Sequence, residues 1–471
     1  MTGRSLKVGE LFNSSRFTSY QVLICGLCFF ITFLDGFDLT VVGVALPKIA
    51  EFLGSDPSAL GLALSAGQLG PLLGAIGLGM LADRLGRKWM LFVSAVIFGI
   101  FTLLTAFITN VEQLALYRFL AGIGLGGAVP NALTFGSEYA PRRSRTRIVA
   151  TMYAGMPAGA MVGGLAAAYL IPRFGWESLF LAGGCTPILA GCLVALLLPE
   201  SLEFLVRRNR EQDKARIRRI VSRIAPALAE DNEVRFVPTE TKLPGVPLKR
   251  LFTEGRAVTT VLLWVICTGA LYLLWILNTW SPTLLRKAGA SVQQYSLAYA
   301  FLCFGAAVSS VFVGRFMDEY NPFRVLQVGF TLACLSLVAF GIGASSGSFV
   351  SIAILSIVCG ICINGSQTGT LAVATVSYPS DIRGTGIGWA YAVAKVGAML
   401  APVVGGFLLS RNWSVSQLCS VNALVGVLTA GVLLLLERHV SAGEVKAQEA
   451  ALVEARAGHG ASMKESPVIA E

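Results

Sequence analysis

Gly79-Met80-Leu81-Ala82-Asp83-Arg84-Leu85-Gly86-Arg87-Lys88 is a short polar break between two long apolar runs, and it has a weaker second copy. That copy is Gly314-Arg315-Phe316-Met317-Asp318-Glu319-Tyr320-Asn321-Pro322. Two further echoes keep the same order. Tyr139-Ala140-Pro141-Arg142-Arg143 is matched by Tyr378-Pro379-Ser380-Asp381-Ile382-Arg383, and Gly163-Gly164 by Gly405-Gly406. Asp83 to Asp318, Tyr139 to Tyr378 and Gly163 to Gly405 are separations of 235, 239 and 242 residues. Three matches at nearly one offset mark an internal duplication.

Outward from these breaks the chain divides into apolar runs at 20–46, 60–82, 89–110, 112–136, 149–171, 179–198, 257–281, 294–316, 324–344, 350–376, 384–409 and 416–436. Each comes near or beyond the roughly 20 residues that cross a bilayer core. Of 471 residues, 55% are hydrophobic and 14% charged. Soluble domains carry about a quarter charged residues, so there is too little polar surface here for a water-soluble globule. The 51 glycines suit helices whose backbones approach closely in lipid. The sequence therefore implies an all-α membrane protein of twelve transmembrane helices in two six-helix bundles. The expected bundles are 20–198 and 257–436, joined by a basic linker at 199–256. Residues 1–19 precede them, and 437–471 form a mixed-charge tail expected to be mostly disordered. Parallel repeats of six spans imply two bundles that rock around a midplane cavity.

The net charge of +10 does not signal nucleic acid, because of where the charge lies. Placing the N-terminus in the cytoplasm puts 30 of the 37 Lys and Arg in cytoplasmic segments. Lys48, Arg173, Arg286, Lys287 and Arg411 fall outside, and Arg118 and Lys395 within the membrane. Residues 1–19 carry no apolar core of a cleavable signal. Both termini are thus expected in the cytoplasm, with the chain in the cytoplasmic (inner) membrane. The linker's Arg207-Arg208-Asn209-Arg210 and the arginines of 216–223 suit an interfacial helix on anionic lipid, or a simple tether. The ten cysteines show no paired spacing on polar loops and read as small buried hydrophobes, not disulfides or metal ligands. No metal-ligand cluster, nucleophile elbow or phosphate-cradling loop appears, so an enzyme is not expected.

The 79–88 break resembles the signature loop of the major facilitator superfamily, and that resemblance runs through nearly the whole chain. The glycine-rich fifth span, Gly155-Met156-Pro157-Ala158-Gly159 with Gly163-Gly164, resembles the superfamily's gating motif, with its proline placed earlier. Asp35-Gly36-Phe37-Asp38 is similar to the Asp-Gly-x-Asp signature of the aromatic acid:proton symporters, the 4-hydroxybenzoate and benzoate type. Arg118-Phe-Leu-Ala-Gly-Ile-Gly-Leu-Gly before Pro130-Asn131, and Arg383-Gly-Thr-Gly386 leading to Lys395, fit the same resemblance. It implies a secondary transporter that takes up an aromatic carboxylate with protons, acts as a monomer, and needs no cofactor beyond the proton gradient.

The residues themselves lead the same way. Asp35 and Asp38 are three apart and share a helix face. An ionised carboxylate at this depth costs about 2.5–3.5 kcal/mol unless protonated, paired or wetted. Neighbouring carboxylates resist joint ionisation, so the pair can load and release a proton; the alternative is a polar helix contact around Gly36. Asp38 and Arg118 each lie about 12 Å in from the same membrane boundary, at 1.5 Å per residue. Arg118 is therefore expected to pair with Asp35, Asp38 or substrate, or to serve as a permanent clamp.

Lys395 is the one formal charge expected within the membrane in the second half, where no acidic residue is evident in the spans. The substrate's carboxylate is the simplest counter-ion; snorkelling to water or a deprotonated lysine are the alternatives. The family pattern has Arg here, so the bidentate fork is lost and a point charge kept. Tyr272, Trp275, Asn278, Asn364, Gln367, Trp389 and Tyr391 are candidates to complete the pocket, rings stacking a flat substrate and amides bonding its hydroxyls. Asp83, Arg84, Arg87 and Lys88, facing Glu138 and Arg142, with Asp318 and Arg383 in the second copy, are candidates for a cytoplasmic latch. Competing functions are a proton-coupled carrier of a non-aromatic anion such as muconate, a drug or metabolite exporter of the same fold, or a membrane sensor without turnover.

Overall fold

The computed structural model describes residues 5–8, 11–12, 17–141, 143–208, 210–224, 235–237, 248–253, 256–345, 347–378 and 382–462. In chain order its helices are α1 (Ser19–Leu53), α2 (Pro57–Leu85), α3 (Arg87–Thr105), α4 (Val111–Glu138), α5 (Arg145–Tyr153), α6 (Gly155–Phe174), α7 (Glu177–Leu197), α8 (Leu202–Arg208), α9 (Glu211–Ile224), α10 (Ala257–Lys287), α11 (Val292–Glu319), α12 (Pro322–Ala344), α13 (Phe349–Ser377), α14 (Arg383–Ser410) and α15 (Val415–Ser462). Counting α5 and α6 as one span, twelve segments among the described residues are long and apolar enough to cross a membrane. A short parallel pair, β1 (Ser5–Lys7) with β2 (Arg235–Val237), ties the N-terminal segment to the linker.

Helix ends follow local chemistry. Thr18 and Gln21 form a capping box at the start of α1, and Ser291 with Gln294 forms another at α11; such a cap is worth about 1 kcal/mol. Asp56 caps α2 ahead of Pro57, and Asn321 caps α12 ahead of Pro322. Proline suits that first position, where its missing N–H would be unpaired anyway. The expected first span, 20–46, is shorter than α1. Hydropathy marks only the lipid-crossing stretch, whereas the helix stops at Gly54, which adopts φ +56. Span five breaks at Ala154. Pro157 has no N–H for the Tyr153 carbonyl four residues back, and its ring crowds that oxygen.

The disorder expected of the tail is corrected in part, since α15 continues unbroken to Ser462. The stretch is rich in Ala and carries several Glu, both strong helix formers in their own right.

Two helix pairings recur in both halves. Gly70 and Gly74 of α2 meet the backbone of α4 at Phe119 and Ile123, and Gly305 of α11 with Gly360 of α13 does the same at Ile357 and Leu302. Gly36 of α1 lies directly against Met156 of α6, where even a methyl group would collide with the Met156 carbonyl. Lipid offers no hydrophobic drive between helices, so such close backbone contact is what holds the bundle.

Among the described residues, the close backbone contacts between the halves lie toward one end. Call the end carrying the linker the linker face and the other the far face. Gly61 lies against Pro402, Gly406 against Pro57, Gly43 against Asn278 and Gly164 against Ala300, all toward the far face. The Ser65 hydroxyl donates to the Met399 carbonyl at 2.7 Å. Toward the linker face, Gly77, Gly79, Gly314, Gly384 and Gly388 have open space beside them. Among the described residues these close backbone contacts between the halves are gathered toward the far face, and the interior between the halves lies on the linker side of them.

Candidate functional site

The membrane charges converge on that interior. Asp38 of α1 is 2% exposed, and Arg118 of α4 reaches it with both terminal nitrogens. Nη1 donates to Oδ1 at 3.0 Å and Nη2 to Oδ2, a bidentate fork. The buried Thr102 of α3 donates to the same Oδ1 at 3.2 Å. Asp38 is thus neutralised within its own half, with a charge partner and an added hydrogen bond to offset desolvation.

Asp35 sits one turn earlier on α1 and is not held by Arg118. It lies within electrostatic range of Asp38 and of Lys395 on α14. Among the described residues Lys395 has no ion pair, and the acid within electrostatic range of it comes from the other half. The second half supplies none, but the first half brings Asp35 across the interior. A reading of spans half by half could not show this.

Two tyrosines complete the cluster. Lys395 Nζ lies 5.4 Å from the centre of the Tyr391 ring, one turn away on α14. Tyr153, at the break between α5 and α6, lies within electrostatic range of both Tyr391 and Asp35. Tyr153 is 50% exposed and Tyr391 38%; with Asp35 and Lys395 as neighbours, that surface faces the interior and not lipid. Tyr153 escaped the sequence reading. The available signal was Pro157, which frees the Tyr153 carbonyl and turns the helix there.

The other pocket candidates are placed differently. Tyr272 donates to Asn422 Oδ1 at 2.5 Å, linking α10 to α15. Asn278 accepts from Tyr299 at 2.8 Å and donates to the Leu274 carbonyl at 2.8 Å. Asn364 donates to the Ala306 carbonyl and to Ser309 and Ser310, binding α13 to α11. Trp275 packs against Cys267, Leu271, Ala390, Ala394 and Ala398 between α10 and α14. Gln367 is half-buried on α13. Trp389, six residues from Lys395, is exposed and falls off the Tyr391–Lys395 face. Of the seven, Tyr391 alone is brought into the charged cluster. Asn131, beside Pro130, donates to the Gly127 carbonyl at 2.8 Å, and α4 runs through without a break.

At the linker face Arg87 pairs with Glu138 and comes within 3.8 Å of Asp83. Glu138 also accepts from Ser201, while Glu200 accepts from the backbone N–H of Lys88 at 3.0 Å. Gly86, at φ +109, makes this turn, and a side chain there would collide with the Glu200 carboxylate. The cluster ties α2, α3, α4 and the start of the linker together within one half. Arg84 is exposed. Among the described residues Asp318 has no ion-pair partner; Arg383 donates to the Tyr378 carbonyl at 3.3 Å. Arg142 lies outside the described residues. Among the described residues the ion pair that crosses the halves is at the far face, where Arg286 of α10 meets Glu51 of α1, itself 2.7 Å from Lys48.

Twelve spans, a duplicated half and an interior lined by opposed charges define a membrane carrier, not an enzyme. The model of the Major Facilitator Superfamily matches residues 28–289 and again 270–469. The chain is 37% identical to the 4-hydroxybenzoate transporter PcaK of Pseudomonas putida over 437 residues, covering 91% of this chain and 97% of that one. It is 34% identical to a gallate transporter of Pseudomonas putida over 425 residues, 89% of this chain and 92% of that one. The chain belongs to the major facilitator superfamily, and within it to the aromatic acid transporters. Solved structures share the fold at lower identity. A bacterial homologue of the lysosomal transporter Spinster superposes with a TM-score of 0.70 at 17% identity, covering 89% of this chain and 97% of that one. The Escherichia coli xylose transporter XylE gives 0.68 at 17%, covering 87% and 94%.

Proposed function

We propose that this protein imports a hydroxylated benzoate-type carboxylate across the cytoplasmic membrane by proton symport, through alternating access. The observation that carries the reading is Asp38 taken by Arg118, which leaves Asp35, one turn away, as the acid within electrostatic range of Lys395 in the other half. A lone acid opposite a lone ammonium gives the carrier two states. Ionised Asp35 engages Lys395; protonated Asp35 releases it to the substrate's carboxylate. Proton and anion are then favoured together, which is the coupling a symporter needs. Tyr153 and Tyr391, one from each half, offer ring faces and hydroxyls to a flat hydroxylated substrate. The relatives named for 4-hydroxybenzoate and gallate support that class.

Open space at the linker face and close contact at the far face support an inward-open state, with the linker and both termini cytoplasmic. The reading requires neither a cofactor nor a second subunit. Uptake of labelled 4-hydroxybenzoate into proteoliposomes tests it. Acidifying the outside is expected to accelerate accumulation, and a protonophore to abolish it. Asp35→Asn is expected to lose accumulation driven by the pH gradient while retaining exchange of substrate for substrate. Gradient-driven uptake by Asp35→Asn at the wild-type rate would sink the coupling role, and preference for an aliphatic acid such as muconate would sink the substrate class.

A further inference from the structure

We infer that the linker helix α9 forms a binding surface for the phosphate headgroups of anionic phospholipid. The helix is two-sided. Ile220, Val221 and Ile224 are buried in the same apolar cluster as Phe12, Cys28, Tyr139 and Val194 of the first half. Its apolar side is therefore spent on the protein and is not free to enter lipid. Arg216, Arg218, Arg219 and Arg223 all stand exposed on the remaining surface.

The acids of this segment do not serve those arginines. Glu211 pairs with Lys214 at 2.5 Å, and Asp213, 1% exposed, pairs with Arg208 at 2.9 Å. Among the described residues the four arginines have no carboxylate partner. Arg216 instead lies within electrostatic range of another cation, Lys88 of the α2–α3 turn. Glu200 is the acid beside Lys88; the four arginines have no such acid among the described residues, so their mutual repulsion favours an anionic occupant on the surface of α9.

The height of the helix selects the source of that anion. Arg223 lies 5.1 Å from the centre of the Tyr20 ring. Tyr20 is the second residue of α1, where the first span enters the membrane. Tyrosines at span ends lie at headgroup level, so α9 is held beside the headgroups by its own packing. Each arginine next to an anionic surface contributes about five-fold to association. A guanidinium row on a fixed helix suits phosphodiester oxygens, which it can bond in pairs.

The test uses the full chain reconstituted in equimolar phosphatidylglycerol and phosphatidylcholine, then extracted mildly for counting of bound lipids by native mass spectrometry. Wild type is expected to retain phosphatidylglycerol several-fold above phosphatidylcholine. Replacing Arg216, Arg218, Arg219 and Arg223 together by Gln should bring the ratio to near unity, and replacing them by Lys should keep most of the enrichment. Soluble glycerol phosphate at millimolar concentration should not displace the retained lipid. Equal enrichment in the wild-type and Gln proteins overturns the proposal. Displacement by glycerol phosphate overturns it too, since the surface would then hold a free phosphate. If the Gln protein does not fold, high salt applied to wild type decides: enrichment that persists unchanged in molar salt overturns the electrostatic basis.

Discussion

Arg118 holds both carboxylate oxygens of Asp38, and so separates two acids that lie three residues apart on one helix. Asp38 is a fixed charge with a fixed partner, buried with Thr102 as a further donor. Asp35 has no such fork. Among the described residues, one aspartate of the signature is thus held in an ion pair and the other is not. Removing one partner of a buried pair leaves the other uncompensated, at a cost of about 3–5 kcal/mol. Asp38→Asn and Arg118→Gln are each expected to lower the thermal unfolding temperature sharply. The double variant Asp38→Leu with Arg118→Met should recover much of that loss, and uptake by it shows whether the pair serves stability alone. Thermal unfolding and uptake of the three variants check both parts.

Lys395 offers the second prediction. A hydrogen bond to a charged group contributes about 1.5–3 kcal/mol, so Lys395→Met is expected to weaken substrate binding by roughly 10- to 100-fold. Lys395→Arg keeps the cation and should bind within a few-fold of wild type. Because Asp35 is the acid within electrostatic range of it, Asp35→Asn combined with Lys395→Met should be more stable than Lys395→Met alone. Equilibrium binding of labelled substrate and thermal unfolding separate the two effects.

Tyr153 is expected to act on recognition and not on coupling. Tyr153→Phe should raise KM for hydroxylated substrates but leave benzoate nearly unchanged, since only a hydroxyl partner is lost. Tyr153→Ala should raise KM for both, because the ring face is gone. Uptake kinetics for 4-hydroxybenzoate against benzoate, with the pH dependence of each variant, check this. A changed pH profile for Tyr153→Phe would assign the residue to the proton path instead.

The fold was legible because lipid imposes length and apolarity on every span, and the repeated Asp83 and Asp318 breaks gave the division into halves. The site was legible where one residue type is costly in a bilayer: Asp35, Asp38, Arg118 and Lys395 stand out against an apolar background. Partnership across the halves was not legible. Asp35 and Lys395 are 360 positions apart, and only the packing of α1 and α14 into one interior joins them. Polar but uncharged residues are harder to place for a different reason. Tyr272, Asn278 and Asn364 look alike in sequence whether they face substrate or a neighbouring helix, and each meets a neighbouring helix. Tyr153 was hidden because a tyrosine near a span end reads as an interfacial anchor until the break before Gly155 turns it inward.

The far face supplies the last prediction. Arg286 and Glu51 join the halves there, and opening toward that side must part them. The pair is exposed, so its worth is about 0.2–1 kcal/mol. Glu51→Gln should therefore shift the balance toward the outward-open state by no more than about five-fold. Gly164 is a stronger lever, because a Cβ added there would stand 2.9–3.1 Å from atoms of Ala300 in the other half. Overpacking of this kind costs about 1–3 kcal/mol, and it is incurred only while the far face is shut. Gly164→Leu is expected to hold that face open more than Glu51→Gln does, and to slow transport. The readout is alkylation of Ser65→Cys, in a background without native cysteines, by a membrane-impermeant reagent added outside. Ser65 is covered by Met399 when the far face is closed. Its labelling rate should rise slightly in Glu51→Gln, more in Gly164→Leu, and with added salt for wild type but not for Glu51→Gln. Labelling of Ser65→Cys that is fastest in the unmodified background would reverse the assignment of which face is shut.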